Sequence, residues 1–132
     1  MMYKFKTYIL LIKVKRNLKI KIGALGVKEF PSGYYLYVGS GRKNLMERIK
    51  RHLKMKKKKF WHIDYLLSQK DVSIFDIYLC EKTETEIVKL TLNRSNLKPH
   101  IKGFGSSDTN NKTHLFYTKF KKTIPYFIQK LG

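Results

Sequence analysis

Tyr37-Val38-Gly39-Ser40-Gly41-Arg42-Lys43-Asn44-Leu45-Met46-Glu47-Arg48-Ile49-Lys50-Arg51-His52 is the stretch on which the fold turns. Tyr37 and Val38 read as the end of a strand, the glycines as a turn, and Asn44 through about Leu53 as a helix. On that helix Leu45, Ile49 and Leu53 make an apolar stripe, with Arg48 and His52 along one edge, within an arc of about 140° at ~100° per residue. A half-buried arginine beside a histidine, just after a tyrosine strand and a glycine turn, is a common way to build a site for phosphate or another oxyanion.

Outward from that stretch the pattern extends in both directions. Tyr8 to Val14 is apolar and β-rich, Leu18 to Ile22 alternates basic with apolar, and Gly23, Gly26 and Pro31-Ser32-Gly33 punctuate the path to Tyr34 through Val38. This predicts a three-stranded antiparallel meander. A second helix is expected over Phe60 to Leu67, a strand over Ile74 to Cys80, and a third helix opened by a capping box in which Thr83 and Glu86 exchange hydrogen bonds. A loop rich in Gly, Ser, Asp and Asn, a short strand over Leu115 to Tyr117 and a helix over Ile124 to Leu131 complete the chain. The order β-β-β-α-α-β-α-β-α predicts an α+β fold, a small, mainly antiparallel sheet flanked by helices. With 132 residues, 42% of them hydrophobic, one domain spanning 1–132 around a modest core is expected.

Charge narrows the function. Twenty-nine Lys and Arg face nine Asp and Glu, a formal net charge of +20. A lysine-rich thermophilic composition raises Glu along with Lys, whereas here acids stay scarce, so a polyanionic partner, nucleic acid, is the expectation. Arg42, Lys43, Lys50, Arg51, Lys54, Lys56, Lys57, Lys58 and Lys59 form a basic belt whose long side chains suit backbone phosphate rather than base edges; a solvated interhelical loop is the plain alternative. The single Cys80 lies in an apolar strand pattern and predicts a buried thiol in a reducing, cytoplasmic setting. No apolar run approaches ~20 residues, so no membrane role is expected.

Tyr37-Val38-Gly39, then Asn44-Leu45, Arg48 and His52, resembles the second half of the GIY-YIG nuclease signature. Lys6-Thr7-Tyr8-Ile9-Leu10 supplies the first half, with Tyr8 as counterpart of the first tyrosine and Lys6 where the family has glycine. Phe60-Trp61-His62-Ile63-Asp64-Tyr65-Leu66-Leu67 and Gly103-Phe104-Gly105-Ser106-Ser107-Asp108, followed by His114-Leu115, resemble a branch of uncharacterised GIY-YIG-like domains sometimes fused to DNA-repair enzymes. The resemblance implies a nuclease, with DNA favoured over RNA as the partner. It also implies a metal-binding glutamate before an apolar pair and a lysine, which Glu84 matches in Glu84-Thr85-Glu86-Ile87-Val88-Lys89. A single carboxylate holding Mg²⁺ or Mn²⁺, with phosphate and waters completing the shell, is normal for phosphodiester hydrolysis.

Arg48 is the residue type best suited to a pentacovalent phosphoryl transition state, because guanidinium stays charged and forks onto two oxygens; its plainer role is an ion pair with one of the few acids. Tyr8, Tyr37 and His52 are alternative general bases, the phenols on the expectation that nearby cations lower their pKa. Glu86 has a sufficient structural task in the helix cap. Trp61 and Tyr65 share a helical face and predict core packing, while His62 and Asp64 can line the cleft. Ser106, Ser107, Asp108 and His114 form a second polar cluster of open role, a capped turn or a second ligand set. A non-catalytic nucleic-acid-binding module of the same fold is the competing reading.

Overall fold

The computed structural model describes residues 4–41, 44–54, 58–59, 61–93, 96–106 and 111–131. In chain order the elements are β1 (Thr7–Val14), β2 (Leu18–Lys21), a 3-10 turn (Gly23–Leu25), β3 (Val27–Phe30), β4 (Gly33–Ser40), α1 (Leu45–Leu53), α2 (His62–Leu67), β5 (Val72–Cys80), α3 (Glu84–Leu92), β6 (Lys98–Pro99), β7 (Leu115–Thr118) and α4 (Thr123–Leu131). The fold is α+β, with a five-stranded sheet in the order β5-β1-β4-β7-β6 and a two-stranded sheet of β2 and β3. All the pairings in both sheets are antiparallel.

The sequence of β1, Thr-Tyr-Ile-Leu-Leu-Ile-Lys-Val, is apolar nearly throughout because both faces of the strand are covered. Tyr8, Leu10, Ile12 and Val14 pack with Tyr35 and Tyr37 of β4, Leu45 and Ile49 of α1, Ile63 and Leu66 of α2, Ile20 of β2 and Phe30 of β3. Ile9 and Leu11 pack on the other face with Leu36, Val38, Ile87 and Val88 of α3, and Ile124 and Phe127 of α4. The period-two alternation of one strand therefore divides the core into two layers. Cys80 is buried in the second.

The expected meander is corrected in its pairing. Strand β1 bonds directly to β4, from Thr7 opposite Ser40 to Val14 opposite Gly33, and to β5 on its other edge, so no edge is left for β2. Gly23 and Gly26, at φ 46 and 81, turn the chain back instead, and β2 pairs with β3. The sequence reading missed β3, whose Lys28 and Glu29 weaken its strand signal, and the two-residue β6. The second helix is described from His62; Phe60 lies outside the described residues.

The register also decides where the site falls. Thr7 stands opposite both Ser40 and Cys80, so the start of β1 and the ends of β4 and β5 share one end of the sheet. Helices α1 and α3 begin just beyond, and the Thr7 hydroxyl donates to the Lys82 carbonyl at 2.7 Å. Thr83 caps α3: its hydroxyl accepts from the Glu86 N–H at 3.2 Å, and the Glu86 carboxylate accepts from the Thr83 N–H at 3.1 Å. The Thr83 N–H and hydroxyl, both donating to the Glu86 carboxylate, hold it below its ordinary pKa and leave Glu84 in the first turn at the sheet's end.

Candidate active site

Tyr8 lies opposite Gly39, and Tyr37 opposite Leu10, so the two phenols rise from the same face of neighbouring strands. A β-carbon at Gly39 would collide with the Tyr8 ring, and one at Gly105 would stand 2.8 Å from Cε1 of Tyr37. Glycine is thus required at both places to let a tyrosine lie flat against backbone. On α1 the buried positions are Leu45, Ile49 and His52, at i, i+4 and i+7. This corrects the expected stripe: His52 points inward, where its Nε2 meets the Tyr8 hydroxyl, and Leu53, at the helix end, is 53% exposed. The Tyr8 hydroxyl lies 2.6 Å from Nε2 of His52.

The expectation that cations lower the phenol pKa values is overturned by burial. Desolvation pushes Tyr8 well above its ordinary value; Arg48 opposes the shift, while Glu84 and Asp64 reinforce it. Tyr37 is raised in the same way, by burial first and then by Tyr8 and Glu84. Both hydroxyls keep their protons at neutral pH, and with the Nδ1–H tautomer of His52 the Tyr8 hydroxyl donates to Nε2.

Two arginines flank Trp61, and their partners differ. Arg51 makes a two-pronged pair with Asp64 at 2.9 and 2.8 Å, donates to the Lys58 carbonyl at 2.9 Å, and lies 4.4 Å over the Trp61 ring. Asp64 is wholly buried and also accepts the Trp61 N–H at 2.8 Å. Arg48 is half-buried, donates from Nη1 to the Ser40 carbonyl at 2.5 Å, and sits 5.2 Å from the Trp61 ring centre. No ion pair joins it to a carboxylate among the described residues.

Glu84 completes the group from α3. Its side chain is 23% exposed, and one carboxylate oxygen lies 3.5 Å from Nδ1 of buried His114. Asn111 donates to the other ring nitrogen at 3.1 Å, so a proton on Nδ1 satisfies both neighbours. Among the described residues no three His, Cys, Asp or Glu converge as a metal-ligand set. One partly exposed carboxylate does suit Mg²⁺ or Mn²⁺, hard cations that keep several waters and take the rest of their shell from substrate phosphate.

A family model for a domain of unknown function, DUF123, matches residues 7–132. The chain belongs to the DUF123 family. No curated protein and no solved structure matches it.

In this DUF123 domain the match covers every group just described, and the fold draws Tyr8, Tyr37, Arg48, His52 and Glu84 to one end of the sheet. Two residues assigned to the cleft from sequence serve the scaffold instead. Asp64 is buried under Arg51, which removes Arg51 from the freely solvated part of the basic belt. His62 accepts the Gly105 N–H on Nδ1 at 2.9 Å and packs on Phe104, thereby pinning the backbone that abuts Tyr37. Of the remaining belt, Lys50, Lys54, Lys58 and Lys59 are exposed; Arg42, Lys43, Lys56 and Lys57, like Ser107 and Asp108, lie outside the described residues. Ser106 is buried. Sequence reading missed the roles of Gly105, the Ser40 carbonyl and Trp61 between the arginines. Only the glycine-aromatic alternation of Gly103-Phe104-Gly105 signalled any of these.

The pinning bond carries a pH dependence. Burial lowers the His62 pKa below its ordinary value, against an opposing backbone hydrogen bond at Gly103, and burial lowers that of His100 likewise. The unfolded chain therefore binds protons more readily than the folded one. The stabilisation is complete above the unfolded histidine value of about 6.5 and is lost as pH falls below it towards the folded values. Denaturant titrations from about pH 7.5 to about pH 5 should show declining stability, and His62→Gln should make the decline shallower. A decline unaltered by His62→Gln would remove the histidine from this role.

Proposed function

We propose that this DUF123 protein is a metal-dependent nuclease of GIY-YIG type that hydrolyses phosphodiester bonds in nucleic acid, with DNA the preferred class. The observation that carries the reading is the contrast between the two arginines. Arg51 is neutralised by a buried carboxylate, whereas Arg48, 5.2 Å from the same indole, pairs with no carboxylate among the described residues and sits with a phenol–imidazole pair and a partly exposed glutamate. A half-buried guanidinium left without a carboxylate suits an incoming phosphate.

In this reading Arg48 orients the phosphate and stabilises the added negative charge of the transition state. Glu84 would hold Mg²⁺ or Mn²⁺, which when bound supplies charge neutralisation and a more acidic water. Tyr8 relays a proton: its oxygen accepts one from the attacking water while its own passes to Nε2 of His52. The water oxygen forms the new P–O bond as the old one breaks, and the departing oxygen takes a proton from solvent. Tyr37 walls the site and fixes the backbone at Gly105.

Incubation with labelled branched, nicked and single-stranded DNA and RNA, in the presence of Mg²⁺, Mn²⁺ or EDTA, tests the reading. Metal-dependent cleavage is expected. Tight binding with no cleavage of any substrate under either metal would instead establish a non-catalytic module. The charge makes a separate prediction about affinity: if five to eight phosphates are neutralised, log K against log salt for duplex DNA should have a slope of about −4 to −7. A slope near zero, measured by fluorescence anisotropy, would remove nucleic acid as the partner.

A further inference from the structure

At the other end of the sheet lies an aromatic surface that the proposed site does not use. The ladder between β1 and β5 shifts register at Leu11 and Ile12, which face Asp76 and Ile74, so Phe75 is the extra residue of a bulge. Bulges redirect side chains, and this one leaves Phe75 39% exposed, its ring edge-on to Tyr34 at 5.9 Å. Lys121 reaches over Phe75, with Nζ 5.6 Å from the ring centre, and the adjoining Phe120 is 57% exposed. Lys13, opposite Tyr34 in the register and therefore on the same face, is exposed, as is Lys119. Asp76, next to Phe75 in the chain, turns its carboxylate onto the Ile77 N–H at 2.8 Å.

Apolar rings exposed among lysines, on a chain of net charge +20, match one class of occupant well. Unpaired bases stack on such rings whatever their identity, while ammonium groups track the phosphates between them. A duplex keeps its bases within its own stack and gains nothing from the rings. We propose that Tyr34, Phe75 and Phe120, with Lys13, Lys119 and Lys121, form a stacking platform for a single-stranded segment of the nucleic acid. Tyr34 and Ser40 lie six positions apart on β4, roughly 20 Å at ~3.3 Å per residue, so the platform would hold a flanking strand rather than the phosphate under attack. This deepens the nuclease reading and rests on it for the identity of the polymer, but it does not require cleavage.

The test compares a fluorescein-labelled oligothymidine with a labelled duplex, using wild-type protein, Phe120→Ser and Phe75→Ser. Phe75 packs on Tyr34, so a thermal melt accompanies each variant; the more exposed Phe120 keeps the test decisive if Phe75→Ser loses structure. Single-strand affinity should fall about tenfold for Phe120→Ser, with duplex affinity and its salt dependence unchanged. Unchanged single-strand affinity in folded Phe120→Ser overturns the platform while leaving the nuclease reading intact. Equal losses for both oligonucleotides overturn it as well, since the rings would then not be reading unpaired bases. Loss of wild-type self-association in Phe120→Ser, seen by sedimentation, would assign the surface to a second copy and also overturn it. Failure of the wild type to bind either oligonucleotide would overturn the nucleic-acid reading and the platform with it.

Discussion

Glu84→Gln and Arg48→Ala should each slow cleavage about a hundredfold or more, or ~2.7 kcal/mol of barrier for each factor of 100. The two should differ in binding. Glu84→Gln removes a carboxylate that repels phosphate, so nucleic-acid affinity should hold or rise, whereas Arg48→Ala loses one phosphate contact among many and should weaken binding modestly. Glu86→Ala is the control, because the Glu86 carboxylate is committed to the Thr83 cap; cleavage should survive it at low temperature. Single-turnover rates with a labelled substrate decide the matter, and cleavage unaffected by both site substitutions would falsify the assignment.

Asp64→Ala should have the largest effect on stability. It leaves the Arg51 guanidinium facing an emptied apolar space, and removal of one partner from a buried pair costs about 3–5 kcal/mol. Arg51 is 26% exposed and can partly rehydrate, which places the expected loss near the lower end, about 3 kcal/mol. Asp64 also accepts the Trp61 N–H, so the start of α2 should fray and Trp61 fluorescence should change in parallel. Arg51→Met should be tolerated far better in an Arg51/Asp64 double replacement than Asp64→Ala alone, because apolar groups of similar volume remove both charges together. Urea unfolding of the wild type, Asp64→Ala and the double replacement gives the comparison; a loss below about 1 kcal/mol for Asp64→Ala would show that the pair is effectively solvated.

The amino-acid pattern alone was enough for the α+β class, the β1 strand, the cap on α3 and the grouping of Tyr37, Arg48 and His52. Each depends on interactions within a few residues or on a short repeat, which a linear pattern records: Thr83 and Glu86 are three apart, and Arg48 and His52 lie one helical turn apart. The glycine after Tyr37-Val38 was legible as a turn residue, but its use as the floor beneath Tyr8 depends on a strand 31 positions away, by numbering from Tyr8 to Gly39.

Only the tertiary structure decided which charges are partnered and which groups titrate. Arg48 and Arg51 are equivalent on the page, two arginines on one short helix, yet Asp64 arrives from α2 beside one of them alone. Burial is likewise collective: cations near Tyr8 argue for a lowered pKa until the strand is covered on both faces, and desolvation then outweighs them. The pairing of β2 with β3 rather than β1 follows the same logic, since a strand's partner depends on which edges remain after the others have paired. Spacing along the chain specifies local geometry, whereas solvent exclusion and the choice among distant partners exist only once the sheet has closed around them.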